Sequence, residues 1–535
     1  MREPARTVRA SRGGTVVGLL LGASLAVAVG ASDVAGAATI RVERNRDAGA
    51  RSLRAAIDRA NVTPGADRIV LVGERRKNGK RKKLFRLTRC VDPMNEENAN
   101  ADGDLDYTGA GRLVISGRNA RVRNTCAGER VLENLGGSLV IRKATLERGR
   151  ALAGGGGIRS VGSLTAVRTI VRRNRAQFGG GGISAVGPTL VLRDSAVTAN
   201  ASEGNGGGLE TIGSATVAGT TVSRNEATFN GGGISKSSGT LAIEGSTLRG
   251  NRAGGNGGGL NSAFGMTTVA KSTVRANRAA LNGGGISKAF GELATVNLTV
   301  TGNRAVAGSG GGLSSAFEAT AIRSSTVTAN ESAAGAGGIQ RSFDSTTIAM
   351  TIVAGNSGVQ CSGVASLDFN LASDASCNPI GSDQPNSDPR LMPLANNGGP
   401  TLTHALRRSS PALNVIPAAL GPGKDQRGAP RAAGNADVGA YERIRCWGIV
   451  VNRVGTSGAD VLRGTRRSDG ILALGGRDRL IGRKGRDGLC GGRGRDTLEG
   501  GAGNDRLDGE QGMDRCDGGP GRDRARACEA TTRVP

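Results

Sequence analysis

The chain has 535 residues, of which 90 are glycine and only 2% are aromatic. A compact globular core usually draws much of its buried area from aromatic side chains, so this composition argues against ordinary globular domains. The formal net charge of +26 favours anionic partners such as cell-wall polymers, acidic polysaccharide, phospholipid or DNA. The alternative is that a GC-rich coding sequence enriches arginine without any binding role.

Residues 1–37 have the features of a secretory signal peptide. Several arginines precede an apolar stretch from Val16 to Val29, and Ala35-Gly36-Ala37 suits signal peptidase. The arginines are Arg2, Arg6, Arg9 and Arg12. We therefore expect a secreted or cell-surface protein that keeps no membrane-spanning segment after removal of the signal. The alternative is an uncleaved anchor, for which the apolar stretch is short.

The eight cysteines are consistent with export to an oxidising compartment. Many pairings are possible for eight cysteines. Proximity along the chain favours Cys90–Cys126, Cys361–Cys377, Cys446–Cys490 and Cys516–Cys528. A zinc site is not indicated, because no CxxC motif occurs and His404 is the only histidine.

Residues 38–112 are predicted to form an N-terminal cap. The stretch 39–72 has the pattern strand, amphipathic helix, strand, with the apolar helix positions on one face. Those positions are Leu53, Ala56, Ile57 and Ala60. The sequence RSLRAAIDRAN resembles the Cys-Ser-Leu-Arg-Glu-Ala motif that opens many bacterial β-helix surface proteins, with Arg51 in place of the Cys and Ala55 in place of the Glu. The resemblance implies a helix that covers the open end of a solenoid.

Two charged runs follow this helix. The basic run from Arg75 to Arg89 is expected to be a solvated loop rather than a binding site. Asp102, Asp104 and Asp106 lie in a stretch that resembles the acidic segment of the same β-helix family. They could ligate calcium, but a solvated turn is favoured, because the glycine and closing glutamate of an EF-hand do not follow.

Residues 113–380 contain a repeat of about 26 residues with two recurring marks. The first is Gly-Gly-(Ile/Leu), which ends at Ile158, Ile183, Leu209, Ile234, Leu260, Ile286, Leu313 and Ile339. The second is an asparagine after a short β-like run, at Asn174, Asn200, Asn225, Asn251, Asn277, Asn303, Asn330 and Asn356. One repeat cannot bury its own apolar face, so the coils must stack as a parallel β-helix with an asparagine ladder at one corner. We expect left-handed backbone at that corner.

These repeats resemble the right-handed parallel β-helix family, including polymorphic outer-membrane proteins with their Gly-Gly-Ala-Ile and Phe-x-x-Asn repeats. The resemblance is informative about the fold over residues 150–360. It says little about activity, because the fold carries lyases, hydrolases, adhesins and phage spikes. The glycine triplets precede strands and recur in every coil, which indicates structural turns rather than phosphate loops.

Residues 381–445 are predicted to cap the C-terminal end of the β-helix. The motifs NNGGPTLTHAL, DQRGAPR and ADVGAYE together resemble the bacterial choice-of-anchor Q domain, a module of surface β-helix proteins. The resemblance implies a closing polar network of Asp425, Arg427, Asp437 and Glu442 rather than a catalytic group. His404 is interpreted as a structural hydrogen-bonding residue, since no nucleophile motif surrounds it.

A second repeat of nine residues occupies 446–535. It places an aspartate at Asp460, Asp469, Asp478, Asp487, Asp496, Asp505, Asp514 and Asp523. An apolar residue or Cys516 stands two positions after each aspartate, and glycine stands two positions before it in every unit except that of Arg467. The pattern resembles the RTX nonapeptide G-G-x-G-x-D-x-U-x, where U is apolar. That resemblance implies a parallel β-roll that binds Ca²⁺ through the eight aspartates.

The residue types suit calcium, which takes six to eight hard oxygen ligands. Glycine lets backbone carbonyls point inward, and the aspartate adds a carboxylate. Two units complete a coil, so ions would lie between loops two units apart. At most six such sites exist, and four have good loops: Asp478/Asp496, Asp487/Asp505, Asp496/Asp514 and Asp505/Asp523.

Arginine precedes four of these aspartates, where related repeats often carry Asn or Asp. These residues are Arg477, Arg486, Arg495 and Arg522. A cation close to the ion would oppose calcium binding, whereas a side chain directed to solvent would not. A metal-free roll rich in glycine and arginine is the alternative.

The sequence therefore predicts an all-β protein: a right-handed parallel β-helix followed by an RTX-type β-roll. The expected function is that of a secreted or surface-associated calcium-binding protein that is adhesive or structural. Its expected partners are calcium and an anionic polysaccharide or cell-wall polymer, with no specific nucleic acid. A polysaccharide lyase or hydrolase is the alternative, although Glu203, Glu210, Glu226, Glu244 and Glu292 do not share one column. A secreted RTX toxin or protease is less favoured, because no HExxH motif occurs.

Overall fold

The fold was analysed in a computed structural model, which describes residues 38–63, 65–75, 81–90, 103–343, 345–417, 419–432 and 434–534. The predicted signal peptide, residues 76–80 of the basic run and Asp102 lie outside the described residues. The fold is all-β, with a parallel β-solenoid followed by a parallel β-roll, as predicted. Within the described ranges, no helix has the length and apolar character needed to span a membrane.

The solenoid begins with the predicted order of strand Thr39–Val42, helix Leu53–Val62 and strand Ala66–Leu71. Ser52 caps the helix, since its side chain accepts a hydrogen bond from the backbone N–H of Ala55. The four apolar positions predicted for the inner helical face are all buried. Short hairpins pair Glu74–Arg75 with Arg81–Lys82 and Arg445–Cys446 with Ile449–Val450.

Equivalent strands of successive coils stack in parallel, and we number the faces they form from the Gly-Gly-(Ile/Leu) strands onward. Face 1 contains Asp106–Tyr107, Leu132–Asn134, Ile158–Ser160, Ile183–Ala185, Leu209–Thr211, Ile234–Lys236, Leu260–Ser262, Ile286–Lys288, Leu313–Ser315, Ile339–Arg341 and Cys361–Ser362. Face 2 contains Thr39–Val42, Ala66–Leu71, Arg112–Asn124, Ser138–Glu147, Ser163–Val167, Thr189–Arg193, Ser214–Ala218, Leu241–Glu244, Thr267–Ala270, Leu293–Val296, Thr320–Arg323, Thr346–Ala349 and Ala365–Ser366.

Two long strands, Arg112–Asn124 and Ser138–Glu147, continue from face 2 into face 3. Face 3 further contains Leu84–Leu87, Ile170–Arg172, Ala196–Thr198, Thr221–Ser223, Thr247–Arg249, Thr273–Arg275, Thr299–Thr301, Thr326–Thr328, Ile352–Ala354 and Leu371–Ala372. Face 4 contains Arg150–Ala151, Arg175–Ala176, Ala201–Ser202, Glu226–Ala227, Arg252–Ala253, Arg278–Ala279, Arg304–Ala305 and Glu331–Ser332.

The roll has two parallel sheets, and its strands alternate between them along most of the chain. One sheet contains Arg453–Val454, Gly470–Leu472, Gly475–Gly476, Gly488–Gly494, Arg506–Gly512 and Arg524–Arg526. The other contains Val461–Arg463, Arg479–Lys484, Thr497–Ala502, Arg515–Asp517 and Ala530–Thr532.

The register of face 1 confirms the 26-residue repeat. Ile158 pairs with Ile183, and the pairing continues through every Gly-Gly-(Ile/Leu) position to Ile339. All eight side chains are buried. The apolar core of the solenoid is therefore a stack of like residues, built without a large aromatic contribution.

The predicted asparagine ladder runs unbroken from Asn174 to Asn356. Each side-chain amide donates to the Oδ1 atom of the asparagine one coil on, at 2.9–3.0 Å, and the last donates to Gln360. The left-handed backbone expected at this corner lies one residue earlier, for example at Arg173 and Ala199. The asparagine itself keeps ordinary backbone angles, because its amide must point inward to reach the next coil.

All four disulfide pairings favoured by sequence proximity are present: Cys90–Cys126, Cys361–Cys377, Cys446–Cys490 and Cys516–Cys528. Each joins positions that the coil geometry brings together over a short span of chain. The disulfides therefore hold both the solenoid and the roll.

The segment 390–442 packs along the side of the solenoid, whereas we expected it to close the C-terminal end. Thr273 donates to the carbonyl of Leu402, and the backbone N–H of Gly439 donates to the carbonyl of Met350. Outward hydroxyl groups of face 3 hydrogen-bond to this segment. Thr299, for example, donates to the side chain of Gln426.

The predicted polar network is present within this segment. Arg427 bonds to Asp425 at 2.8 Å and donates to the carbonyl of Glu442, whose carboxylate accepts from the backbone N–H of Asp437. His404 contacts Met392 and Thr301 through its two ring nitrogens, consistent with a structural role.

The ladder gives a stability prediction. Replacing Asn251→Ala should destabilise the protein by about 3 kcal/mol, because it leaves buried amide groups of Asn225 without their acceptor. Denaturant unfolding would measure the loss. Asn261→Ala is the control, since Asn261 lies on face 1 outside the ladder and is partly exposed. Equal losses in the two variants would contradict the ladder's role.

Candidate calcium-binding sites

The nine-residue repeat folds into coils of eighteen residues, as predicted. In one sheet the register aligns Leu462, Leu480, Leu498 and Cys516. In the other it aligns Ile471, Leu489, Leu507 and Ala525. These side chains form the core of the roll. Each aspartate follows a glycine-rich loop and immediately precedes its strand, at the edge of this core.

One carboxylate oxygen is accounted for in six of the eight aspartates, those from Asp478 to Asp523. The Oδ1 atom accepts a hydrogen bond from the backbone N–H of the aspartate eighteen residues earlier, at 2.7–2.8 Å. The structure thus brings together Asp478/Asp496, Asp487/Asp505, Asp496/Asp514 and Asp505/Asp523, the four pairs with good loops. It also joins Asp460/Asp478 and Asp469/Asp487.

The second oxygen of six aspartates is buried and has no hydrogen-bond donor among the residues that the structure describes. These are the Oδ2 atoms of Asp478, Asp487, Asp496, Asp505, Asp514 and Asp523. An ionised carboxylate taken from water costs several kcal/mol unless charge or hydrogen bonds compensate it. The six orphaned oxygens form two columns, Asp478, Asp496 and Asp514 beside one sheet and Asp487, Asp505 and Asp523 beside the other, and therefore indicate positions for cations.

Glycine leaves the space in which such a cation could lie. A Cβ atom on Gly500 would come within 2.6 Å of the Oδ2 atom of Asp505 and within 2.7 Å of the carbonyl oxygen of Gly518. Gly491 has the same relation to Asp496 and the carbonyl of Gly509. Carboxylate and carbonyl oxygens thus converge beside a residue that has no side chain. They are hard oxygen ligands of the kind that calcium prefers.

Burial changes the pKa values of several aspartates in the roll. Burial is the main cause that raises the pKa of Asp487 to about 7 and those of Asp478 and Asp505 to about 6. Burial also raises the pKa of Asp496 and Asp514. A bound divalent cation would favour the ionised forms and lower these values.

Asp460 and Asp469 differ from the other six. The Oδ2 atom of Asp460 accepts from the backbone N–H and hydroxyl of Thr456, and that of Asp469 accepts from the same groups of Thr465. Threonine four residues before the aspartate is the sequence signal of this difference, and the other six units lack it. The role of Asp460 and Asp469 as calcium ligands stays a prediction.

The arginines that precede four aspartates are exposed to solvent. Arg477, Arg486, Arg495 and Arg522 all have exposed side chains, while the aspartate that follows each is buried. Of the two arrangements left open by the sequence, the structure has the one that is compatible with calcium binding.

An acidic cluster near the N-terminus is buried, whereas the sequence favoured a solvated turn. Asp104 and Asp106 are buried rather than part of a solvated turn, and they lie beside Glu133. The guanidinium group of Arg130 donates to the carboxylates of both Asp104 and Glu133, and Arg54 of the helix donates to the carbonyl of Asp104. The cluster thus joins the helix to the first coils, which the local sequence could not show.

Comparison with known proteins agrees with the geometry of the roll. The family model described as the RTX calcium-binding nonapeptide repeat (4 copies) matches residues 454–489 and 491–525. Among solved structures, a mutant of the PL6-family alginate lyase AlyGC aligns with 91% of this chain and 74% of its own, at 11% identity and a TM-score of 0.30. No curated protein matches the chain.

The chain is therefore a β-solenoid protein with C-terminal RTX calcium-binding repeats. These repeats imply that Ca²⁺ is a structural rather than a catalytic cofactor. Together with the four disulfides, they indicate an extracellular protein.

The raised pKa values give a pH prediction. Without calcium, the stabilising contribution of protonated Asp487 is present near pH 4 and is lost as the pH rises through about 7. In EDTA, we expect the thermal midpoint of the roll to fall by roughly 5 °C between pH 5 and pH 8. Asp487→Asn should reduce this fall, since the amide does not titrate.

Saturating calcium should reverse the trend, because the ion binds the ionised carboxylates. Circular dichroism melts of the whole chain would record both trends. The pH-dependence prediction fails if wild type and Asp487→Asn show the same pH profile in EDTA.

Proposed function

We propose that the protein is a secreted or surface-associated, non-catalytic calcium-binding repeat protein. Its role is adhesive or structural, and its partners are anionic polysaccharides, cell-wall polymers or cell surfaces. The observation that carries the proposal is the two columns of buried Oδ2 atoms in the roll, six atoms in all, that have no donor among the described residues. Calcium at Asp478, Asp487, Asp496, Asp505, Asp514 and Asp523 would compensate them and hold adjacent loops together.

Hydrogen bonds connect the start of the roll to the segment that packs along the solenoid, and this connection supports a structural role. Arg427 donates to the carbonyls of Asn397 and Val451, and therefore links the side-packed segment to the start of the roll. The disulfide Cys446–Cys490 fixes that start to a central coil of the roll. Calcium binding would thereby stiffen the end of the solenoid as well as the roll.

The proposed domain order is that of the sequence analysis: signal peptide 1–37, N-terminal cap 38–112, β-helix 113–380, choice-of-anchor Q-like segment 381–445 and β-roll 446–535. The polar network around Arg427 and the packing of residues 390–442 against face 3 support a distinct fourth unit. Its attachment function is part of the proposal.

The arrangement of carboxylates on the solenoid supports a non-catalytic role. A hydrolase needs two carboxyl groups across one groove, about 5–10 Å apart. Glu210 lies on face 1, Glu226 on face 4 and Glu244 on face 2. A lyase or hydrolase is the alternative, and sugar release from pectin, alginate or chitin by the purified protein would favour it.

Calorimetric titration of EDTA-treated protein with calcium tests the proposal. We expect binding of at most six ions per chain, accompanied by a gain of β-structure. Asp505→Asn should remove at least one ion and weaken the neighbouring sites on the order of tenfold.

Asp517→Asn is the matched control, because Asp517 lies in the same roll but pairs with Arg533 outside the loops. The variant should bind as many ions as wild type. Absence of calcium uptake by the wild-type chain at millimolar concentration would disprove the proposed calcium role.

A further inference from the structure

The positive charge of the solenoid is concentrated in its first coils. Residues 112–175 contain 14 lysines and arginines but only three acidic residues, all glutamates. Residues 176–360 contain 12 lysines and arginines against nine acidic residues. The same fold therefore carries a strongly basic surface at one end and a nearly balanced one along the rest.

Four arginines from two adjacent coils line one cleft at this basic end. Arg150 and Arg175 are register partners on face 4, and Arg148 and Arg173 precede them at the corner. All four side chains are exposed. The cleft has a volume of about 560 Å³, and residues 124–127 around Cys126 also line it.

Within the described residues, most of this charge has no carboxylate partner. Arg175 pairs with Glu203 at 2.8 Å. For Arg148, Arg150 and Arg173, no carboxylate partner is found among the residues that the structure describes. The cleft therefore presents several guanidinium groups to a ligand.

The basic surface continues onto face 3. Glu147 is buried and accepts hydrogen bonds from Arg121, Arg123 and Arg172. Three guanidinium groups share one carboxylate, so an excess of positive charge remains beside the cleft.

In later coils, the same register position of face 4 carries arginines with glutamates next to them. Arg252, Arg278 and Arg304 occupy the same register position on face 4 as Arg150. They are flanked by Glu226 and Glu331, which lie 3.8 and 3.6 Å from the arginines at the two ends. The fold alone thus does not require an unbalanced cluster at this position.

We infer that the cleft lined by Arg148, Arg150, Arg173 and Arg175 binds the acidic groups of a linear anionic polysaccharide. The inference rests on the proposed binding of anionic polymers and assigns it a site. Guanidinium groups bind carboxylate or sulfate in a bidentate manner. The lining contains no aromatic side chain on which the bases of a single strand could stack.

Binding of a short oligoglucuronate and of a sulfated dextran oligomer to the full chain tests the inference. The triple variant Arg148→Gln/Arg150→Gln/Arg173→Gln should lose at least about tenfold in affinity. The control Arg252→Gln/Arg278→Gln/Arg304→Gln removes the same charge and should lose about twofold or less. Preference for one oligomer distinguishes carboxylate from sulfate as the ligand group.

The other outcomes separate the two proposals. Equal losses in both triple variants would overturn the site and leave general polymer binding intact. Absence of binding by wild type to either oligomer would overturn the polymer partner and the site together. Tighter, cleft-dependent binding of DNA or of anionic vesicles would overturn the ligand class. Asp505→Asn should bind the oligomers like wild type, since the cleft lies on the solenoid.

Discussion

A parallel solenoid places each position of a coil about 4.8 Å from its counterpart in the next coil. A buried polar residue therefore lies next to the equivalent residue of the coil before and of the coil after. An asparagine can satisfy this constraint by itself, because its amide both donates and accepts. The ladder from Asn174 to Asn356 does so in every step. A carboxylate cannot, because it only accepts when ionised.

The two aspartate columns of the roll show the consequence. Backbone N–H groups satisfy Oδ1 one coil away, but among the described residues the Oδ2 atoms of six aspartates from Asp478 to Asp523 have no donor. Protonation of some of these groups would relieve the repulsion at low pH, and a cation would relieve it at neutral pH. At Asp460 and Asp469 a threonine supplies the donor instead. One geometric constraint thus explains the asparagine ladder, the two aspartate columns and the exceptions at the start of the roll.

The repeat periods made the stacked parts of the fold predictable. Once the 26- and nine-residue registers are known, the columns of Ile158, Asn174 and Asp478 follow, and so do disulfides between near neighbours. The nonrepeating contacts were not predictable in this way. The burial of Asp104 with Arg130, and the packing of residues 390–442 on face 3, depend on pairs that are remote in sequence and occur only once. Thr456 and Thr465 can be read from the sequence, but whether they donate to the aspartates depends on the direction of their hydroxyl groups.

Stacking constrains the inside of the coils and leaves the outside free to differ. Inward positions must repeat, because each packs against its equivalent, whereas outward positions of face 4 change from arginine to alanine to glutamate between coils. A charge pattern on that surface therefore cannot be attributed to folding alone. Like charges in register repel, so the adjacent pair Arg150 and Arg175 is destabilising, whereas in a later coil Glu226 lies beside Arg252 and reduces the corresponding repulsion. A polyanion bound across the first coils would reduce the repulsion between Arg150 and Arg175.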